Sequence, residues 1–107
     1  MKRVVVLCPG RGSYGRDSLG SLKGLVSPRL EKLNEHRAAL GRPTPREMDS
    51  AEQFQSRLHI RGENASILTA GITFADLDQL DSSKVEVVGV VGNSMGWYTA
   101  LGVAGAL

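Results

Sequence analysis

A chain of 107 residues has room for one domain with a modest core. Hydrophobic residues at 41% and charged residues at 22% exclude a disordered chain, and aromatic residues at 5% make any core mainly aliphatic. Thirteen Lys+Arg against eleven Asp+Glu leave a net charge of +2, too mild to point to nucleic acid or an anionic membrane. The basic residues, among them Arg3, Arg16, Arg29, Arg37, Arg42, Arg46, Arg57 and Arg61, are scattered among Glu31, Glu35, Glu47 and Glu52. They read as solvated faces. A lone Cys8 excludes an internal disulfide, fits a reducing compartment and reads as a small buried hydrophobe.

The first element is Val4-Val5-Val6-Leu7-Cys8, a short β-branched run closed by Pro9-Gly10. It is too short for a secretory h-region and has the pattern of a strand buried on both faces of a parallel sheet. A glycine-rich loop follows, Gly10-Arg11-Gly12-Ser13-Tyr14-Gly15. Leu19, Leu22 and Leu25 give residues 18–26 the spacing of a weak, glycine-interrupted helix. Ser27 as cap and Pro28 at the first position start a helix over residues 28–40, with Leu30, Leu33, Ala38 and Leu40 as its apolar stripe. Gly41 and the Pro43-Thr44-Pro45 turn end it.

Residues 49–58 read as a short polar helix, and Arg61-Gly62-Glu63-Asn64 as a turn. Residues 65–80 have the best helical periodicity, with Leu68, Ile72, Ala75 and Leu80 near one face. The second strand is Val85-Glu86-Val87-Val88-Gly89-Val90-Val91, and the apolar stretch 97–107 is helix-compatible. Strand, helices, parallel strand and helix make an α/β layout.

The second strand runs into Gly92-Asn93-Ser94-Met95-Gly96, a G-x-S-x-G sequence between a β-branched strand and an apolar helix. In that setting the serine sits on a sharp strand-to-helix turn with its hydroxyl projecting from the sheet. Gly92 and Gly96 are small where neighbouring backbone passes close. A helix N-terminus behind Ser94 aims free N–H groups at developing negative charge.

Two stretches together resemble one family. Cys8-Pro9-Gly10-Arg11-Gly12-Ser13-Tyr14 resembles the F-P-G-Q-G-S-Q loop of malonyl-CoA:acyl-carrier-protein transacylases and related acyltransferase domains. Gly92-Asn93-Ser94-Met95-Gly96-Trp97-Tyr98-Thr99-Ala100-Leu101 resembles their G-H-S-L-G-E-Y-S-A-L elbow, and Val103-Ala104-Gly105-Ala106-Leu107 their A-A-G-A-L. The resemblance implies the N-terminal portion of an α/β-hydrolase-like acyltransferase domain, with parallel strands and a nucleophile elbow. It implies Ser94 as the catalytic nucleophile that accepts a malonyl or related acyl group from acyl-CoA and passes it to an acyl carrier protein. Backbone N–H groups of Met95 and Arg11 would form the oxyanion hole. Gly10 and Gly12 would bring the first loop close to the reacting carbon, with Gly92, Asn93 and Gly96 shaping the elbow.

No bound cofactor or metal is implied, acyl-CoA being substrate, and the setting is cytoplasmic, in fatty acid or polyketide biosynthesis. The family's carrier proteins are acidic, compatible with the slight positive charge. Three positions depart from the pattern: Arg11 stands for Gln, Asn93 for His and Trp97 for an acidic residue. The family's catalytic His and malonyl-binding Arg lie beyond the elbow, so residues 1–107 read as one incomplete acyltransferase domain ending just after the elbow helix. His36 and His59 match no family motif and read as surface or structural residues. Apolar surface is expected along residues 85–91 and 97–107.

Other readings stay open. Gly10-x-Gly12-x-x-Gly15 after a strand also satisfies the dinucleotide fingerprint, although residues 27–32 are helical where a second strand should follow. Residues 87–107 carry no charge and are long enough for one membrane span, with Gly92-x-x-x-Gly96 as a packing motif. A non-catalytic interaction protein, or a serine hydrolase using the same elbow, is the third.

Overall fold

The computed structural model describes residues 1–10, 14–59 and 62–92, together with Gly96 and Thr99. The described residues form a small mixed α/β unit of two parallel strands and four helices. Strand β1 is Lys2–Cys8 and strand β2 is Val85–Gly92. The helices α1 (Pro28–Ala39), α2 (Pro45–Asp49), α3 (Ser56–His59) and α4 (Gly62–Asp78) all lie in the crossover between them. Parallel pairing requires such a crossover, because the chain must return to the same end before the second strand starts.

The register runs from Lys2 opposite Val85 to Cys8 opposite Gly92, with a bulge where Val4 faces Val87 but Val5 faces Gly89. The burial expected on both faces of β1 is only half fulfilled. Val4 and Val6 are half-buried and Cys8 is buried, whereas Val5 is 62% and Leu7 68% exposed. Val87, Val88 and Val91 are exposed as well. The expectation of strands buried on both faces is thus corrected: one face meets the crossover side, and the other carries an uncovered apolar ladder in which Leu7 pairs with Val91. A parallel sheet needs cover on both faces to desolvate its apolar side chains. The surface expected along residues 85–91 is therefore present, while residues 97–107, apart from Thr99, lie outside the described residues. The double substitution Val5→Thr with Val91→Thr keeps β-branching and should lower binding of an apolar-surface dye, with stability changed by less than about 1 kcal/mol. Unchanged dye binding would place the exposed apolar surface elsewhere.

Helix α1 starts as its residues dictate. Ser27 Oγ accepts the Leu30 N–H at 3.2 Å, and Pro28 occupies the first turn, where its missing N–H costs nothing. At the other end Gly41 N–H donates to the Ala38 carbonyl and Arg42 N–H to the Arg37 carbonyl, the paired bonds of a Schellman cap. The cap of α1 is also stitched to the end of α4: Ser27 donates to Asp78 at 2.5 Å, and Arg29 pairs with Asp78 at 2.7 Å while lying over the Phe74 ring. Burial alone would raise the Asp78 pKa; the Ser27 hydroxyl and the Arg29 guanidinium outweigh it and hold the carboxyl below the usual range.

Residues 18–26 are not a helix. A 3-10 turn over Arg16–Ser18 leads into further turns in which Gly20 and Gly24 hold φ of +83° and +77°, a left-handed conformation that ends any helix. Leu22 is nevertheless fully buried, so the leucine spacing marked a core segment with the wrong backbone. The single helix expected over 49–58 is likewise replaced by α2 before it and α3 near its end. The signal for α2 was present in Thr44-Pro45-Arg46-Glu47, a T-x-x-E helix start: Thr44 Oγ1 accepts the Glu47 N–H at 3.1 Å and donates to the Glu47 carboxylate at 3.2 Å. Part of the expected 61–64 turn is the first turn of α4, since Gly62–Asn64 are helical. Arg61 lies outside the described residues.

Helix α4 is the centre of the helical layer, with α1, α2 and α3 all packed against it. One cluster joins Tyr14, Met48 and Leu68; a second joins Leu22, Leu30 and Ala75; and Ile72 touches both. Leu40 and Leu80, expected on apolar stripes, are exposed, whereas Arg37 is buried. Its guanidinium is satisfied by the Pro43 carbonyl at 2.8 Å and Asn64 Oδ1 at 2.6 Å, with Glu63 at 3.5 Å. These partners correct its assignment to a solvated face, because a buried cation is tolerated when paired and hydrogen-bonded.

Candidate functional site

Both sequence stretches singled out above leave the sheet at one end. Cys8 lies opposite Gly92 in the parallel register, so the chain beyond Cys8 and the chain beyond Gly92 emerge side by side from the carboxyl ends of adjacent strands. In open α/β sheets this is where ligand sites are built. Gly96 confirms the closeness of the two segments. It is buried, and a Cβ placed on it would run into the Cys8 carbonyl oxygen and come within 2.8 Å of the Pro9 carbonyl oxygen. Only a residue without a side chain fits against that backbone.

Of the expected site residues, Gly10, Gly92 and Gly96 are thus brought to one place, Gly10 being buried on the loop that leaves β1. Arg11, Gly12, Asn93, Ser94 and Met95 lie outside the described residues. Gly92 ends a strand paired with β1, so the uncharged run 87–107 does not form one continuous helix, and the helix-packing role considered for Gly92 and Gly96 does not apply. No helix among the described residues is long and apolar enough to cross a membrane.

The first loop returns to the core at Tyr14, which is 5% exposed. Its hydroxyl donates to Asp49 Oδ1 at 2.8 Å, and Asp49 Oδ2 accepts the Leu22 N–H at 2.8 Å. Asp49 is itself buried at the end of α2. One carboxylate therefore ties the far end of the loop to the turn carrying Leu22. Burial pushes the Tyr14 pKa up, and the hydrogen bond to Asp49 raises it further, so the phenol stays protonated at neutral pH.

The Tyr14 ring lies in a stacked array with Phe54 and His59, with centroids 5.1 to 6.4 Å apart. His59 is fully buried. Its Nδ1 accepts the Gln55 N–H at 2.9 Å, which leaves Nε2 to donate to the Met48 carbonyl at 2.7 Å. Both ring nitrogens are engaged in holding α2 to α3, and His36 stands exposed on α1. His59 is thus committed to holding the helices together, and His36 faces solvent.

Cys8 is a free, buried thiol whose pKa is raised by burial, the condition of an inert core cysteine. Among the described residues no three His, Cys, Asp or Glu side chains gather closely enough to hold a metal ion. The sequence reading missed Asp49, Tyr14 and His59 as a cluster. Nothing local marks them, because their contacts join residues up to 35 positions apart. No family model, no curated protein and no solved structure matches the chain.

Proposed function

We propose that this chain carries the nucleophile of an acyl-group transferase, with Ser94 as the acyl-accepting residue. The observation that supports it best is the side-by-side exit of two motif segments from paired parallel strands, with Gly96 pressed against the carbonyls of Cys8 and Pro9. A loop that supplies one oxyanion donor and an elbow that supplies the nucleophile and the other must approach in this way. The resemblance in sequence of both segments to malonyl-CoA:acyl-carrier-protein transacylases supplies the reaction.

On this proposal the Ser94 hydroxyl oxygen attacks the thioester carbonyl of an acyl-CoA, its proton passing to a general base. The tetrahedral oxyanion is held by the backbone N–H groups of Met95 and Arg11, donors that are independent of the side chain at position 11. Collapse breaks the C–S bond, releases CoA and leaves the acyl group as a serine ester. The phosphopantetheine thiol of a carrier protein attacks that ester, and Ser94 is regenerated. The resemblance assigns the base to a histidine beyond the elbow helix, in keeping with the structural role of His59 and the solvent-exposed position of His36 on α1. Gly10 and Gly12 keep the first loop thin where the thioester must enter, and Gly92 and Gly96 do the same for the elbow. The substrates are soluble and the reaction belongs to the cytoplasm.

The test is acyl transfer from labelled malonyl-CoA, read as covalent label on the complete protein. Label should appear on Ser94, leave on adding a holo carrier protein, and fall at least about a hundredfold in Ser94→Ala. Label that survives Ser94→Ala removes Ser94 from the mechanism, and wild-type protein that takes no label overturns the transferase assignment.

A further inference from the structure

A second cavity lies at the carboxyl end of β1, against both Val6 and Leu7. This cavity of about 280 Å³ opens between the end of β1 and α4, under the turns that follow Tyr14. It approaches the lower limit for small-molecule pockets, roughly 300 Å³. Val6 and Pro9 line it from the strand side, and Ile72 and Leu77 from α4. The same helix lines it with Thr69, Thr73 and Asp76, which follow one another at helical spacing of four and three residues and so share a face.

The polar groups on this wall are unequal. Thr73 donates its hydroxyl to the Thr69 carbonyl at 2.9 Å, Ser18 Oγ accepts the Gly15 N–H at 3.0 Å, and Ser21 donates to the Ser18 carbonyl. Two groups have no partner among the described residues. One is the hydroxyl of Thr69, a residue only 4% exposed; the other is the carboxylate of Asp76, which lines the cavity from an exposed position on α4. No lining residue is basic. Partial burial raises the Asp76 pKa, and the carboxylate, open to solvent on one side, has no cationic side chain among the cavity's lining residues. A carboxylate in that setting is strengthened by a cationic donor and repels an anion.

We propose that this cavity binds a small amphiphilic amine, its ammonium group on the Asp76 carboxylate and its apolar body against Val6, Ile72 and Leu77. Anionic ligands, the phosphates of a CoA among them, meet hydroxyl groups but no cation on this wall, and one like charge. The single carboxylate also supplies too few ligands for a metal ion. This site does not depend on the acyltransferase assignment, and loss of Ser94 should leave it untouched.

The probes are n-hexylammonium, n-hexanol and hexanoate, titrated into the full chain at pH 7 and followed by backbone amide chemical shifts. Hexylammonium should bind saturably, with shifts centred on α4 and β1, hexanol at least about tenfold more weakly, and hexanoate more weakly still. Asp76→Asn should weaken hexylammonium about tenfold or more while the spectrum stays that of the folded protein, since Asp76 makes no side-chain contact the fold relies on. Asp76→Glu should restore most of the affinity. Equal binding of all three probes, no saturable binding of the amine, or an unchanged affinity in Asp76→Asn would each overturn the proposal.

Discussion

Asp49→Ala should lower stability by about 2–5 kcal/mol, read as a shift in the denaturant midpoint at constant slope. The substitution strands two donors in the core, the Tyr14 hydroxyl and the Leu22 N–H, both of which now meet this one carboxylate at 2.8 Å. Each unsatisfied buried group costs about 1–3 kcal/mol, and a domain of this size has only about 5–15 kcal/mol in all. Asp49→Asn should recover roughly half of the loss: its amide retains one acceptor for Leu22, and Tyr14 can turn its oxygen to accept from the new NH₂. Pairing Asp49→Asn with Tyr14→Phe in a double-mutant cycle should give a coupling of about 1 kcal/mol. An Asp49→Ala protein within about 0.5 kcal/mol of wild type would mean that this carboxylate does not tie the two segments together. Because Tyr14 bounds the loop that carries Gly10, Arg11 and Gly12, the acyl transfer proposed above should fall in the same variants even where they remain folded.

Gly96→Ala should be more damaging still. The added methyl group has backbone in its way, the carbonyls of Cys8 and Pro9, and backbone cannot swing aside as a side-chain end can. The segment after β2 must withdraw from β1 or the chain must unfold locally. A loss above about 3 kcal/mol is expected, in the range reserved for core disruption. Gly15→Ala is the control: a Cβ there meets nothing within 4 Å, and the smaller conformational freedom of alanine in the unfolded chain should leave stability equal or slightly higher. If Gly96→Ala and Gly15→Ala behave alike in thermal melts, the close approach at the sheet end is disproved, and with it the main support for a composite oxyanion site.

The elements legible in the sequence were those written in short-range chemistry. Val4 to Cys8, the Val85 run and the Ser27-Pro28 start with the Gly41 stop each carry their signal within a few residues. Residues 18–26 misled because leucines three apart can be buried by turns as well as by a helix, once Gly20 and Gly24 supply left-handed backbone. Residues 49–58 misled because Pro43-Thr44-Pro45 looked like a stop, although Thr44 with Glu47 was the start of α2. Of the candidate site, the need for a small residue at Gly96, where neighbouring backbone passes close, was legible from motif spacing. The Tyr14–Asp49–Leu22 and His59–Met48 bonds were not, since nothing in a linear pattern announces which distant donor a buried carboxylate or imidazole will meet.

The parallel pairing of β1 with β2 also sets an order of events at the ribosome. Lys2 to Cys8, made before the other described elements, find their hydrogen-bonding partners only when residues 85–92 have been made and released. Until then β1 is an unpaired apolar strand, a template for the wrong partner. The helices α1 to α4 have no such wait, because α1, α2 and α3 can dock on α4 once residue 78 has emerged. The helical layer should therefore assemble first and the sheet last. Closing a loop of roughly eighty residues makes that final pairing the slow, late step of folding.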